Sequence, residues 1–197
     1  LSSRSNTYLS FSSLPSPTSQ SETLLLRDLD NCFIDLLPSS GESGEEEIKF
    51  STMYLSGLRN CMVILPVIEG SVMVNDCKDS KITLGSHQFR MHNSTGCMLY
   101  LETGSTPIIE GCKDLVFSEY PRVFARDMKD KPEGTSKQVK FIQDFDFPFA
   151  TLEQNPSPNW RFATADGRLP WGTDQEEDWT SREGRRKIWE TKKLISP

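Results

Sequence analysis

From Ile48 to about Phe117 the chain falls into short β-prone pieces: Ile48 to Leu55, Cys61 to Leu65, Ser71 to Val74, Lys81 to Leu84, Gln88 to Met91, Met98 to Leu101, Pro107 to Ile109 and Leu115 to Phe117. Gly and the dipeptides Asn-Cys, Asp-Cys and Gly-Cys punctuate them, and no helix fits between. The clearest alternation is Gln88-Phe89-Arg90-Met91-His92, which as a strand sets Gln88, Arg90 and His92 on one face and Phe89 and Met91 on the other. Arg90 is thereby presented rather than buried. A guanidinium is always charged and binds phosphate or carboxylate through a two-pronged fork, so an arginine on a rigid strand beside two hydrogen-bonding neighbours suits anion recognition.

Cysteine recurs at positions 61, 77, 97 and 112, each time beside a strand and after Asn60, Asp76, Gly96 or Gly111. A recurrence at about 15 to 20 residues marks an internal repeat, and repeats of this kind stack because one unit cannot bury its few aliphatics alone. A parallel β-helix is the architecture expected, with the cysteines as small buried ladder residues. An antiparallel sandwich is disfavoured by the absence of clear two-residue hairpin turns. With a coil of about 20 residues, the neighbour of Arg90 on the next coil falls near position 110, where Glu110 could steer the guanidinium across about 4.8 Å of strand spacing.

Around this block the signals weaken. Residues 1–23 are Ser-rich with Pro15 and Pro17 and read as a flexible linker, although Leu9 and Phe11 could dock locally. Glu22 to Leu37 carries leucines at helical spacing but also allows a strand over Asn31 to Leu36. Ser39 to Glu47 reads as a solvated loop. Phe141, Phe145, Phe147 and Phe149 alternate like a strand, for which packing is the expected role and exposure would make an interaction site. Residues 161–197 form an irregular tail with a short helix expected over Thr180 to Leu194, Thr180 and Glu183 making a capping box.

Composition narrows the function classes. A net charge of -6 with scattered acidic residues provides no broad field for nucleic acid. No apolar run is long enough to cross a membrane, and Leu1-Ser2-Ser3-Arg4 has neither a signal-peptide core nor an initiating Met, which reads as part of a longer chain. Five cysteines without a Cys-x-x-Cys pair argue for a reducing compartment and against disulfides or zinc, and His87 and His92 have no ligand-like neighbours in the sequence. A carbohydrate-active β-helix would want paired carboxylates or calcium-binding acidic clusters, and the sequence offers neither.

Gln88-Phe89-Arg90-Met91-His92, Pro107-Ile108-Ile109-Glu110 with Phe117, Asp76-Cys77, Asp144-Phe145-Asp146-Phe147 and Pro156-Ser157-Pro158-Asn159-Trp160 together resemble the C-terminal domain of the tubulin-folding cofactor C family, a C-CAP/cofactor C-like domain, over about residues 50–160. The resemblance implies a right-handed parallel β-helix over residues 24–160. It also implies that Arg90 is an arginine finger stimulating GTP hydrolysis by β-tubulin, in the complex that assembles tubulin heterodimers with cofactors D and E. Gln88, His92 and Glu110 would then orient the finger or touch the GTPase. No cofactor is needed in this chain, since GTP and Mg²⁺ would belong to the partner. A cytoplasmic, cytoskeleton-associated monomer is expected. Gln-Phe-Arg and Pro-Ile-Ile-Glu also occur in the related retinitis pigmentosa activator of an Arf-like GTPase, which leaves that partner as an alternative. A non-catalytic cytoskeletal module, like the actin-binding domain of cyclase-associated protein, is the other alternative. Two departures stand out: Ser86 where Cys is frequent, and Ser118-Glu119-Tyr120-Pro121 where the family continues with apolar and aromatic residues.

Overall fold

A computed structural model describes residues 1–14, 23–37, 50–124, 139–164 and 177–192. Fourteen short strands alternate between two parallel sheets. The first sheet holds β1 (Ser2–Ser5), β3 (Thr23–Asp30), β5 (Thr52–Ser56), β7 (Ser71–Asn75), β9 (Gln88–His92), β11 (Ile108–Glu110) and β13 (Gln143–Asp144), in that spatial order. The second holds β2 (Tyr8–Ser10), β4 (Phe33–Asp35), β6 (Met62–Val67), β8 (Lys81–Ser86), β10 (Met98–Thr103), β12 (Leu115–Glu119) and β14 (Trp160–Phe162). Each coil gives one strand to each sheet, and a ladder of single bridges, Asp30 to Arg59 to Lys78 to Thr95 to Lys113, forms a narrow third side. This is a parallel β-helix.

Alternation drives it. In β5, β7 and β9 the buried positions are Met53 and Leu55, Val72 and Val74, and Phe89 and Met91, stacked coil upon coil in one continuous core. Each such side chain gains about 1.5–3 kcal/mol by leaving water, but only once the next coil covers it.

The turn between the two strands of a coil is built from two columns of residues with left-handed backbone, three positions apart. One column is Ser3, Asp28, Gly57, Asp76, Asn93 and Gly111, and the other is Asn6, Asn31, Asn60, Asp79, Gly96 and Asp114. Asn, Asp and Gly tolerate this conformation best, which explains the punctuation seen in the sequence. The columns are tightly stacked: a Cβ on Gly96 would stand 2.3 Å from Asp79 Oδ1.

The cysteines follow these corners and occupy two ladders rather than one. Cys77 stacks with Ser94 and Cys112, while Cys61 stacks with Cys32, Ser80 and Cys97, as the bridge register requires. Thiol and hydroxyl do the same work here. Cys61 Sγ donates to the Arg59 carbonyl at 3.2 Å and Ser80 Oγ to the Lys78 carbonyl at 2.8 Å, each two residues back. Burial pushes the thiols of Cys77, Cys97 and Cys112 upward.

The N-terminal reading is corrected. Residues 2–10 are not linker but the first coil: β1 pairs with β3, β2 pairs with β4, Leu9 enters the core, and the Asn31 amide bonds Asn6. The serines hid this coil because every residue of β1 faces solvent. From Thr23 to Asp35 the chain likewise holds the strands β3 and β4 rather than a helix, with Leu24, Leu26 and Leu29 pointing inward. The loop expected over Ser39 to Glu47 lies outside the described residues.

At the other end Asp144 turns inward and closes the helix. Its carboxylate accepts bonds from Ser157 Oγ (2.5 Å), Asn159 Nδ2 (3.0 Å) and the Asp146 amide (2.9 Å), which fixes the segment leading into β14. Trp160 then caps Phe117 and Phe141 edge-on.

The C-terminal helix α1 (Arg182–Lys192) docks on the outer face of the second sheet, where Trp179 and Ile188 join Phe33, Met62, Ile64 and Tyr120 in a separate apolar cluster. Its cap is Ser181, whose Oγ accepts the Gly184 amide at 3.0 Å, so the capping box expected from Thr180 and Glu183 is displaced by one residue and does not form. Thr180 instead bonds Asp178. Hydrogen bonds from Ser181 and then Thr180 hold the Asp178 carboxyl well below its usual range, at about 2.

Candidate functional site

Strand β9 is paired on both sides, by β7 and β11, and its two inward residues, Phe89 and Met91, are locked in the core. Arg90 stands between these anchors and is exposed on the open face of the first sheet. Its backbone is therefore fixed before any partner arrives, which limits the entropy lost on engagement. Its guanidinium makes no hydrogen bond or ion pair among the described residues. Gln88 and His92 share its face, as the alternation implied.

Glu110 is on the same face but is not the partner of Arg90. Arg90 is in register with Met73 on one side and Ile108 on the other, while Glu110 is in register with His92. His92 Nδ1 lies 3.4 Å from Glu110 Oε2, an ion pair when the imidazole is protonated. The reason is coil length: successive coils here are separated by steps of 17, 18 and 19 residues, not 20, so the facing residue comes two positions early. The outcome leaves the arginine flanked by apolar Met73 and Ile108, with its charge free for an external anion.

Two features escaped the sequence reading. Leu25, Tyr54 and Met73 lie in the same row as Arg90, one per strand from β3 to β7, and Leu25 and Tyr54 are 47% and 41% exposed. Their signal was present in the outward phase of each strand, but it could be used only once the register was known. The second concerns the phenylalanines. Phe141 packs on Trp160 as expected, whereas Phe145, Phe147 and Phe149 are exposed, Phe149 by 86%. Asp144 takes the inward position, and alternation sends Phe145 out. This segment follows β13, the strand next to β11, and Asp146 Oδ2 accepts the Gly111 amide at 2.7 Å.

No group of His, Cys, Asp and Glu able to hold a metal is found among the described residues. Among them, too, no helix is long and apolar enough to cross a membrane.

The family model described as Tubulin binding cofactor C matches residues 21–151. Among curated proteins, mouse "Tubulin-specific chaperone C" is 27% identical over 150 residues, covering 75% of this chain and 41% of the relative. Arabidopsis thaliana "Tubulin-folding cofactor C" is 28% identical over 145 residues, covering 73% and 39%. The chain thus spans about two fifths of the length of these relatives. Among solved structures, tubulin binding cofactor C from Leishmania major matches with a TM-score of 0.48 at 22% identity, covering 59% of this chain and 80% of that one. With its family model matched across both sheets and through the strand that carries Arg90, the chain belongs to the tubulin binding cofactor C family.

Proposed function

We propose that this chain is the GTPase-activating part of a tubulin-folding cofactor C. Arg90 enters the nucleotide site of β-tubulin as an arginine finger, in the cytoplasmic assembly with cofactors D and E that builds the tubulin heterodimer. The observation that carries the reading is Arg90 itself: an exposed arginine, without an internal partner among the described residues, on a strand anchored by Phe89 and Met91.

The chemistry asked of the chain is small. An arginine supplied in trans neutralises charge developing on the transferring phosphoryl group, which is worth about 10³- to 10⁵-fold in turnover. The water, Mg²⁺ and GTP belong to tubulin, so the chain, acting as a monomer in this reading, needs no nucleophile, base or cofactor of its own. Gln88 stands two residues from Arg90 on the same face and can orient the guanidinium or meet the partner. The His92–Glu110 pair borders the site and offers hydrogen bonds at its rim.

The test is GTP hydrolysis by tubulin with cofactors D and E, comparing the parent chain, Arg90→Ala and no addition, with an Arf-like GTPase assayed in parallel. Stimulation of tubulin by the parent and none by Arg90→Ala is the expected result. Equal stimulation by both proteins refutes the finger, and stimulation of the Arf-like GTPase alone moves the activity to that partner.

A further inference from the structure

Arg90 belongs to a row that crosses the open sheet face: Leu25, Tyr54, Met73, Arg90 and Ile108 are successive register partners on β3, β5, β7, β9 and β11. Strands about 4.8 Å apart place Leu25 about 14 Å from Arg90. Beside Tyr54 and Met73 the neighbours are short and uncharged, Thr52 and Ser71 on one side and Ser56 and Asn75 on the other, while Leu25 stands between Thr23 and Arg27, whose guanidinium is paired with Asp28 at 3.1 Å. Leu25, Tyr54 and Met73 therefore rise as an apolar ridge that runs straight into the arginine. Nothing in the described fold covers it, and Leu25 and Tyr54 are among the more exposed large apolar side chains.

A specific protein contact covers about 800 Å² on each partner, a patch roughly 30 Å across. A GTPase that takes Arg90 into its nucleotide site must rest on the sheet around it, and about 15 Å in the direction of β3 brings it over Met73, Tyr54 and Leu25. The charge pattern fits one occupant. The row itself carries a single cation and no carboxylate, and the Arg27 charge beside its far end is offset by Asp28, so the row complements a surface with one anionic centre, the nucleotide phosphates, bordered by apolar side chains. We infer that the Leu25–Tyr54–Met73 ridge is the affinity-determining half of the GTPase interface, seating the partner so that its phosphates meet Arg90. This rests on the arginine-finger reading for its occupant. Contact and chemistry are thereby divided: the ridge sets how much chain is needed, and Arg90 sets the rate once bound.

The experiment measures tubulin GTP hydrolysis with cofactors D and E against concentration of the chain, together with direct binding of the chain to GTP-loaded tubulin. Four proteins are compared: parent, Arg90→Ala, the triple variant Leu25→Ser/Tyr54→Ser/Met73→Ser, and Val67→Ser, an exposed apolar residue on the other sheet. Unfolding midpoints confirm that each is folded. The triple variant is expected to need at least about tenfold more protein for half-maximal stimulation and to bind correspondingly more weakly, with its maximal rate within about twofold of the parent. Val67→Ser is expected to match the parent. A triple variant that binds as tightly as the parent overturns the inference, whatever Arg90→Ala does. A weakened triple variant with a fully active Arg90→Ala keeps the ridge as a tubulin contact and refutes the finger instead. A parent that does not bind tubulin overturns both.

Discussion

Arg185, in the second turn of α1, donates from Nε to the carboxylate of Asp35 at 2.7 Å, across 150 residues of chain. Both side chains are almost wholly buried, at 2% and 0% exposure. Tyr8 donates to the same carboxylate oxygen at 2.9 Å, and the Leu37 amide bonds the other oxygen. Desolvation, reinforced by the Asp35 charge, pushes the Tyr8 hydroxyl well above its ordinary value. The last described helix is thus fastened to the second coil by a buried charge pair in which both Asp35 oxygens accept hydrogen bonds and Arg185 Nη1 donates to the Trp179 and Thr180 carbonyls.

Removing one member leaves the other charged in an apolar site, which costs about 3–5 kcal/mol. Arg185→Ala should lower the unfolding free energy by that amount in denaturant titration. Replacing both, as Asp35→Leu with Arg185→Met, should recover much of the loss, and a double variant weaker than the single one would contradict this account.

Gly184 gives an inverted expectation. Ala usually improves a helix over Gly by about 1 kcal/mol. Here a Cβ would lie 2.0 Å from the Asp178 carbonyl oxygen. Gly184→Ala should therefore destabilise, by about 1–3 kcal/mol, and release the apolar cluster under α1. Thermal unfolding followed by tryptophan fluorescence checks the sign.

For Arg90 the expectation separates rate from stability. Arg90→Lys keeps the charge but loses the planar fork, so it should restore little of the stimulation lost in Arg90→Ala. Neither change should move the unfolding free energy by more than about 0.5 kcal/mol, since the side chain is exposed and unpaired within the described fold. Steady-state hydrolysis and a urea titration on the same samples measure both.

The buried thiols give a pH dependence. Burial raises Cys77 to about 11 and Cys97 to about 12 from an ordinary 9.0. Above that ordinary value the unfolded chain loses these protons while the native chain keeps them, so stability is complete below pH 9 and falls between there and about 12. Denaturation curves at successive pH values should show the decline. Alkylation of both thiols should be limited by unfolding rather than by pH below this window.

Between Thr52 and Phe117 the strands were legible because each inward aliphatic recurs at period two and each corner needs Asn, Asp or Gly, whereas Ile48 lies outside the described residues. The N-terminal coil was not, since β1 buries no residue and its serines look like those of a linker. Cysteine spacing pointed to a repeat but misjudged its length. Cys61 and Cys97 belong to one corner and Cys77 to the other, so successive intervals alternate between short and long, and neither equals a coil. That error displaced Glu110 by two residues, onto His92. Arg90 and its face were readable from one strand alone. The apolar ridge was not, because it joins residues from β3, β5 and β7 that only register brings together. Arg185 looked like part of a basic surface run, and nothing local distinguishes it from exposed Arg186.

The paired left-handed columns have an evolutionary corollary. The spacing within each pair is constant from Ser3 and Asn6 to Gly111 and Asp114, whereas the return from the second sheet to the first varies widely, from the single residue between β8 and β9 to the long segments after β2, β4 and β12. From β1 to β12 length changes fall on one edge of the prism, and the other edge lengthens in the closing segment between β13 and β14. Loops can be grafted or trimmed on the first of these edges while the outward residues of the first sheet stay in phase with Arg90, so length can vary without shifting the row that Arg90 shares with Leu25, Tyr54 and Met73.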